Sequence, residues 1–471
     1  MKTIFKILTL TTFILIAINV NAQKKKNIVV FLVDDLGYHD LSFTGSKLYE
    51  TPHVDKLAEK GVVFTNAYVS HPRCVPSRFA IQTGKFPARE KVPGKFSGLS
   101  AKEKSIGQAF KDNGYITFFA GKWHLGKDST EWPQNRGYDI NIAGCSAGAP
   151  RSYFFPYNVS KNEKVSGKHG KISGLDNGKN GEYLTDRLTD ETIKFIKQEH
   201  NKPFFVMLAH YGVHTPFQAP DSIIKKYRKK LKTMTFEGPE YLERDGQTKV
   251  HQDNAVYAAM IETVDVSLGK IMQALEEKGI LDNTIIVFTS DHGGLSNRGN
   301  NRRLATSNLP LRAGKGHVYE GGIKVPFIIY DKNFKKSTCE QVTVNTDIYP
   351  TLLDLCGLPL VPEQHLDGIS MKPYMKGKKP EDRTLFWHSP KGRPKSTGDH
   401  NCTAVRIGNY KLIAYYDDKR LELYDLKTDP YEEHNLAETK KKLAKDLQQK
   451  ELKWKKEINA WQKMPRENTN K

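Results

Sequence analysis

The hydrophobic pattern switches repeatedly between two periods. Residues 27–33, 115–120, 204–209, 284–290 and 325–330 are short, unbroken apolar runs rich in Val, Ile and Phe. Runs of that length without alternation predict strands buried on both faces, as in a parallel sheet. Between them the period lengthens. Residues 51–60, 105–113, 188–199 and 345–357 read as helices, bounded by Pro near a start or Gly at an end. In 257–278, Ala258, Ile261, Val264, Leu268, Ile271 and Leu275 recur every three or four residues, an amphipathic helix. From about 370 the pattern becomes short alternating stretches at 384–388, 403–407, 410–416 and 421–425, an antiparallel sheet. A last helix is predicted over 437–462, with Leu443, Leu447, Trp454, Ile458 and Trp461 on one face. The expectation is an α/β fold: a large, mostly parallel central sheet flanked by helices, with a smaller C-terminal antiparallel sheet plus helix. No internal repeat is present.

Residues 1–22 interrupt this picture. Lys2 and Lys6 precede an apolar run from Leu8 to Ile18, and Val20-Asn21-Ala22 offers a small-residue cleavage site. That predicts a signal peptide and export, with the periplasm as the first destination and the extracellular space as the second. The run is short for a membrane span, so stable membrane insertion is not expected. The division that follows is 1–22 leader, 23–370 α/β body and 371–471 C-terminal subdomain.

The formal net charge is +20, which favours anionic partners. No helix-turn-helix, zinc-finger or RNA-binding signature accompanies it, and the leader argues against nucleic acid. Five cysteines, Cys74, Cys145, Cys339, Cys356 and Cys402, are an odd number for an exported chain, which marks one as having chemistry of its own. Without Cys74 the other four permit three full pairings. Residues 151–182 are rich in Gly, Lys, Asn and Ser, a long loop expected to shape specificity or to move.

The polar residues at the strand ends carry the candidate chemistry. Asp34 and Asp35 end the first run, and Asp291-His292-Gly293-Gly294 ends the run at 284–290. Adjacent carboxylates after buried strands are costly unless a cation neutralises them, and a hard divalent cation is the natural partner. Gly121-Lys122-Trp123-His124-Leu125-Gly126 follows another strand, with Lys122 and His124 expected on one face; Lys122 suits a sulfate oxygen, His124 a base. His214-Thr215-Pro216 supplies a candidate acid, while His210 reads as a packed histidine. Lys315 sits between glycines on a loop, as an anion ligand would. Arg78 lies four residues after Cys74, one turn along any helix that starts there.

Cys74-Val75-Pro76-Ser77-Arg78, continuing to Thr83-Gly84, resembles the sulfatase signature. Together with Asp34-Asp35, the 121–126 and 214–216 segments, Asp291-His292-Gly293, Lys315, Tyr319 to Gly322, and Glu422-Leu423-Tyr424-Asp425 through Asn435-Leu436, it makes the chain similar to a type I sulfatase of the alkaline-phosphatase superfamily from about Asn27 to Leu436. The resemblance implies that Cys74 is oxidised by a formylglycine-generating maturation enzyme to formylglycine (3-oxoalanine), whose hydrated diol attacks sulfur and later expels sulfate. It implies that Asp34, Asp35, Asp291 and the modified Cys74 hold one Ca2+ or similar divalent cation, with His292 where the family has Asn or His; an imidazole is unusual for so hard a cation. Arg78 would orient the diol, Lys122 and Lys315 bind sulfate oxygens, His214 protonate the leaving oxygen, and His124 deprotonate the second hydroxyl. Asp291 would also assist the attacking hydroxyl.

The expected substrate is a sulfated polysaccharide or its oligosaccharides, an algal glycan such as ulvan, carrageenan or fucan before a glycosaminoglycan. His388, Arg302, Arg303 and the 151–182 loop are the candidate sugar contacts. The alternatives are a phosphoesterase or phosphonate monoester hydrolase on the same scaffold, and a non-catalytic glycan-binding relative. The second should have lost Cys74, Arg78 or His214, all of which are present.

Overall fold

The computed structural model describes residues 25–90, 98–158 and 172–460. The leader at 1–22, part of the 151–182 loop and Trp461 lie outside the described residues. The run at 27–33 forms strand β1 (Asn27–Val33), buried at every position. Its side chains alternate between two cores: Val29, Phe31 and Val33 face one, Ile28, Val30 and Leu32 the other. An unbroken apolar run is what two dry faces require.

Seven further strands complete the sheet: β2 (Val62–Phe64), β3 (Ile116–Gly121), β4 (Ile140–Ile142), β5 (Phe204–Ala209), β6 (Thr284–Ser290), β7 (Phe327–Tyr330) and β8 (Ser337–Cys339). Their order across the sheet is β8-β2-β7-β6-β1-β5-β3-β4. All neighbours are parallel except β7, which runs antiparallel to both β6 and β2.

Among the described residues seven helices of more than one turn flank it: α1 (Pro52–Lys60), α2 (Cys74–Thr83), α3 (Ile106–Asp112), α4 (Leu184–Lys197), α5 (Asp221–Leu231), α6 (Ala255–Glu277) and α7 (Ile348–Leu355); an eighth, α8 (Lys441–Glu457), belongs to the C-terminal part. Helices α1, α4, α5 and α6 bury their apolar stripes in the core below one face, and α2, α3 and α7 in the core below the other. α6 starts at Asn254, whose side chain accepts from the Val256 and Tyr257 amides, satisfying two of the free N–H groups of the first turn.

The alternating C-terminal stretches form a separate antiparallel sheet, β9 (Thr384–Ser389), β10 (Cys402–Ile407), β11 (Tyr410–Tyr415) and β12 (Leu421–Asp425), in that order. Its union with the body is apolar: Trp387, Ala404 and Ile413 pack with Tyr68, Val318 and Tyr319 in a third core, and the Trp387 indole donates to the Val69 carbonyl at 2.7 Å. Helix α8 covers the sheet, Trp454 lying flat on Phe386 at 4.3 Å between centroids. All five cysteines are free thiols. Among the described residues, no helix is long and apolar enough to cross a membrane.

Candidate active site

Parallel strands leave their C-terminal ends along one edge, where open α/β sheets bind ligands. Here β1 delivers Asp34 and Asp35, β3 Lys122, β5 the segment to His214, and β6 Asp291 and His292. Helix α2 begins at Cys74 itself, so Cys74 and Arg78 share a face one turn apart, as the spacing predicts.

The result is a dense ionic cluster. Lys122 Nζ donates to Asp34 Oδ2 at 2.5 Å. Lys315 Nζ donates to both Asp35 oxygens at 2.6 and 2.7 Å. Arg78 Nε donates to Asp291 Oδ2 at 2.9 Å and its Nη1 to the Lys122 carbonyl at 2.5 Å. His292 Nε2 lies 3.1 Å from Cys74 Sγ and 3.2 Å from Asp35 Oδ1. Asp34, Lys122, Asp291 and His292 are wholly buried. Burying so many charges is unfavourable unless each is matched.

The match is incomplete. Asp34 Oδ1 and Arg78 Nη2 face each other at 3.4 Å without a hydrogen bond, and His124 Nδ1 has no hydrogen-bond partner. Asp34, Cys74, Asp291 and His292 each aim one donor atom into a space less than 4.8 Å across. Two carboxylates, an imidazole and a sulfur around an unsatisfied carboxylate oxygen, with Asp35 beside them, fit a divalent cation.

Electrostatics follow from this crowding. Burial would push the Cys74 thiol up, but Lys122, Lys315 and His292 outweigh it and hold it well below a thiol's usual range. Burial and the Asp291 charge drive Asp34 well above the carboxylate range despite Lys122. Asp35 and Asp291 go down: burial opposes this, but Lys315 and the two histidines override it for Asp35, and His292 and Arg78 for Asp291. His214 is lowered to about 3, by burial first and then by Lys315. His124 is lowered by burial, against a hydrogen bond to Cys74.

The expectation of one strand face for Lys122 and His124 does not hold. β3 ends at Gly121, and His124 has φ +57°, so strand alternation stops before either residue. They still converge, Lys122 on Asp34 and His124 on Cys74. Asp35 also lies in the left-handed region, φ +63°. Two non-glycine residues held there within one site are the kind of strain that folds keep at functional centres. Gly293 serves the same packing: a Cβ there would strike the Gly321 carbonyl, and one on Gly321 would strike the Ala313 and Arg312 carbonyls.

A cavity of about 350 Å³ opens over Cys74, lined also by His124, His214, Lys315 and His388. Arg302 stays nearby, its guanidinium reaching Ser396 Oγ at 3.4 Å. Arg303 does not belong to this cavity; it lines a separate depression with Tyr241 and Arg298. His210 is fully buried, 2.9 Å from Ser267 Oγ, a packed residue as expected. The described part of the 151–182 loop is ordered support: Tyr153 donates its hydroxyl to the Tyr211 and His214 carbonyls at 2.6 and 2.8 Å.

Other contributors escaped the sequence reading. Ser77 Oγ donates to the Asp291 carbonyl. His71, Arg73, Lys391 and Arg393 line the cavity. The basic, Gly- and Pro-containing stretch at 391–395 was their visible signal, but nothing local says that it folds back over Cys74.

The sulfatase family profile matches residues 26–358, and that of N-sulphoglucosamine sulphohydrolase, C-terminal, residues 313–459. A sulfatase of Formosa agariphila is 28% identical, covering 94% of this chain and 89% of that one. Human arylsulfatase A is 27% identical, covering 89% and 85%. The crystal structure of Ps i-CgsB superposes with a TM-score of 0.73 at 30% identity, over 92% of this chain and 93% of that one; the same protein has been solved in complex with k-i-k-neocarrahexaose. With the signature cysteine, its arginine and the strand-end carboxylates in one cluster, the chain belongs to the sulfatase family.

Proposed function

We propose that the protein removes sulfate from a sulfated glycan of the algal kind, such as ulvan, carrageenan or fucan, after export and conversion of Cys74 to formylglycine. The observation that carries this reading is the convergence of Cys74, His124, His214 and Lys315 on one cavity, with Arg78 and Lys122 buried beneath it against Asp291 and Asp34. The neocarrahexaose held by Ps i-CgsB supports an algal substrate.

Formylglycine would supply a hydrated aldehyde as nucleophile, and a divalent cation held by Asp34, Asp35, Asp291 and His292 would supply positive charge against the carboxylates and the sulfate. The chain's own groups do the rest. Arg78, braced by Asp291 and the Lys122 carbonyl, fixes the residue at position 74. Lys122 and Lys315 are placed to meet non-bridging sulfate oxygens, fixed cations that need no reorganisation as charge shifts.

His214 Nδ1 faces the Thr215 carbonyl at 2.8 Å, so Nδ1 carries hydrogen and Nε2 is the atom that gains and loses a proton. In the free protein burial and Lys315 keep that ring neutral. An anionic ester beside it opposes Lys315 and raises its proton affinity, which lets Nε2 protonate the leaving sugar oxygen. His124, next to Cys74, accepts the proton released when sulfate departs.

The test is the intact mass of the Cys74 peptide from a maturation-competent, exporting host, combined with sulfate release from algal and animal oligosaccharides. N-terminal sequencing of the same sample locates leader cleavage. Formylglycine with release from an algal glycan is the expected result. Fully modified protein that hydrolyses phosphate or phosphonate esters and no sulfate ester would overturn it.

A further inference from the structure

The cavity over Cys74 is wider and more cationic than one sulfate group requires. Its wall includes Arg73 and His71, with Arg393 exposed at the surface. Arg73 is held rigidly. Its Nη2 donates to both oxygens of Asp399 at 2.7 and 2.6 Å and to Thr397 Oγ1 at 3.3 Å. That engages one nitrogen of three. Arg73 Nε is buried with no hydrogen-bond partner, and so is His71 Nδ1. Buried polar atoms left unpaired are rare in folded proteins; Arg73 Nε can only donate, so beside the nucleophile it marks an absent acceptor, and His71 Nδ1 joins it in the tautomer that carries its proton there.

Charge points the same way. Asp399 neutralises Arg73. The Arg393 guanidinium has no hydrogen bond or ion pair among the described residues; its backbone is what is engaged, the amide donating to Asp399 Oδ2 at 3.3 Å and the carbonyl accepting from the Ser396 and Thr397 amides at 2.8 and 3.0 Å. Among the described residues Glu90 is the one acid lining the cavity, against Arg73, Lys315, Lys391 and Arg393. Guanidinium groups are suited to planar, bidentate recognition of oxyanions.

We infer that His71, Arg73 and Arg393 form a second anion subsite, which takes a carboxylate or a further sulfate ester carried by the substrate next to the scissile sulfate. The inference rests on the sulfatase reading and deepens it: the preferred substrate carries two anionic groups on one or adjoining rings. Arg73 is preorganised by Asp399 to present Nε to that group. Arg393 closes over it from the surface.

The experiment compares kcat/KM of matured full-length protein on three probes: 4-nitrophenyl sulfate, disulfated disaccharides, and monosulfated disaccharides that contain a uronic acid. Each is run on wild type, Arg393→Ala and Arg73→Lys. Arg393 is exposed, so its replacement leaves the core intact; Arg73→Lys keeps the Asp399 pair but loses the fork and Nε. The expected result is that each variant lowers the ratio of kcat/KM on the dianionic probe to that on 4-nitrophenyl sulfate by about 10- to 100-fold, the loss of a charged hydrogen bond, mainly through KM. Which dianionic probe shows the drop tells sulfate from carboxylate. Ratios unchanged in both variants, with 4-nitrophenyl sulfate still hydrolysed, overturn the subsite and leave the sulfatase reading standing. Matured wild type that releases sulfate from none of the probes overturns both.

Discussion

Two parts of the molecule bury charge, and they do it differently. At the strand ends, Asp34, Asp35, Asp291, Arg78, Lys122 and Lys315 are packed together, and Asp34, Cys74, Asp291 and His292 still bring one donor atom each to within 4.8 Å of one another. Where the C-terminal sheet meets the body, Lys411 is just as buried, but it bridges Glu320 at 3.0 Å and Glu432 at 2.8 Å. Glu320 also accepts from Tyr68 at 2.7 Å, and Glu432 from the Glu320 amide at 2.7 Å. The second cluster is a joint between two sheets, with one lysine serving two carboxylates. The first is a set of charges arranged around something to be bound. Removing a member should therefore cost activity in one place and stability in the other.

The largest effect belongs to the site. His214→Ala removes the proposed acid and no buried ion pair that the fold depends on. Its kcat on a sulfated oligosaccharide should fall about 10²- to 10⁴-fold, with the unfolding midpoint unchanged. A fall in the midpoint of several degrees would show that His214 holds structure instead. Lys411→Met is the mirror image. It leaves Glu320 and Glu432 facing each other with only Arg406 and Lys324 still acting on Glu320, and breaking a buried pair in this way costs about 3–5 kcal/mol. Urea unfolding should show that loss, while the protein that remains folded keeps its sulfate release. A loss of less than about 1 kcal/mol would mean that Glu432, already raised to about 7 by burial, simply takes up a proton.

The strand-end cluster should also gain stability from a cation, and the joint should not. Calcium at 100-fold excess over its dissociation constant adds about 2.7 kcal/mol, and a chelator should remove it. The shift should disappear in Asp34→Asn and persist in Glu432→Gln. No calcium-dependent shift in the wild type would dissolve the distinction between the two clusters.

The strand ends were readable from sequence because each is a short local unit: an apolar run such as 27–33, then Asp34-Asp35 at once. The periodicity of α6 and the helical step from Cys74 to Arg78 were readable for the same reason. What was hidden is pairing across distance. Arg73 and Asp399 are 326 positions apart, and Tyr153 meets His214 only after the chain has crossed the sheet. Lys122 and His124 show a subtler failure, since the strand pattern does not continue the three residues past Gly121 to His124, where a turn has its own backbone geometry. Local periods fix elements; they carry no information on which loop closes over which.

The smallest effect separates a third kind of buried charge from both clusters. Asp265 is 1% exposed and has no cation. It is held by the His53 and Val54 amides at the start of α1, at 3.0 and 2.8 Å. Burial outweighs those hydrogen bonds and raises its pKa to about 7. The folded protein therefore keeps a proton there that the unfolded chain releases near pH 4. Stability from this group is complete below about pH 4 and is lost as pH rises toward 7, by no more than about 1.4 kcal/mol per pH unit. Asp265→Asn keeps an acceptor for the two amides and cannot ionise. Its unfolding free energy, followed by urea titration from pH 5 to 7, should decline less steeply than that of the wild type. Parallel curves would mean that the two amides and the first turn of α1 stabilise the carboxylate fully, making it another matched charge like those of the joint.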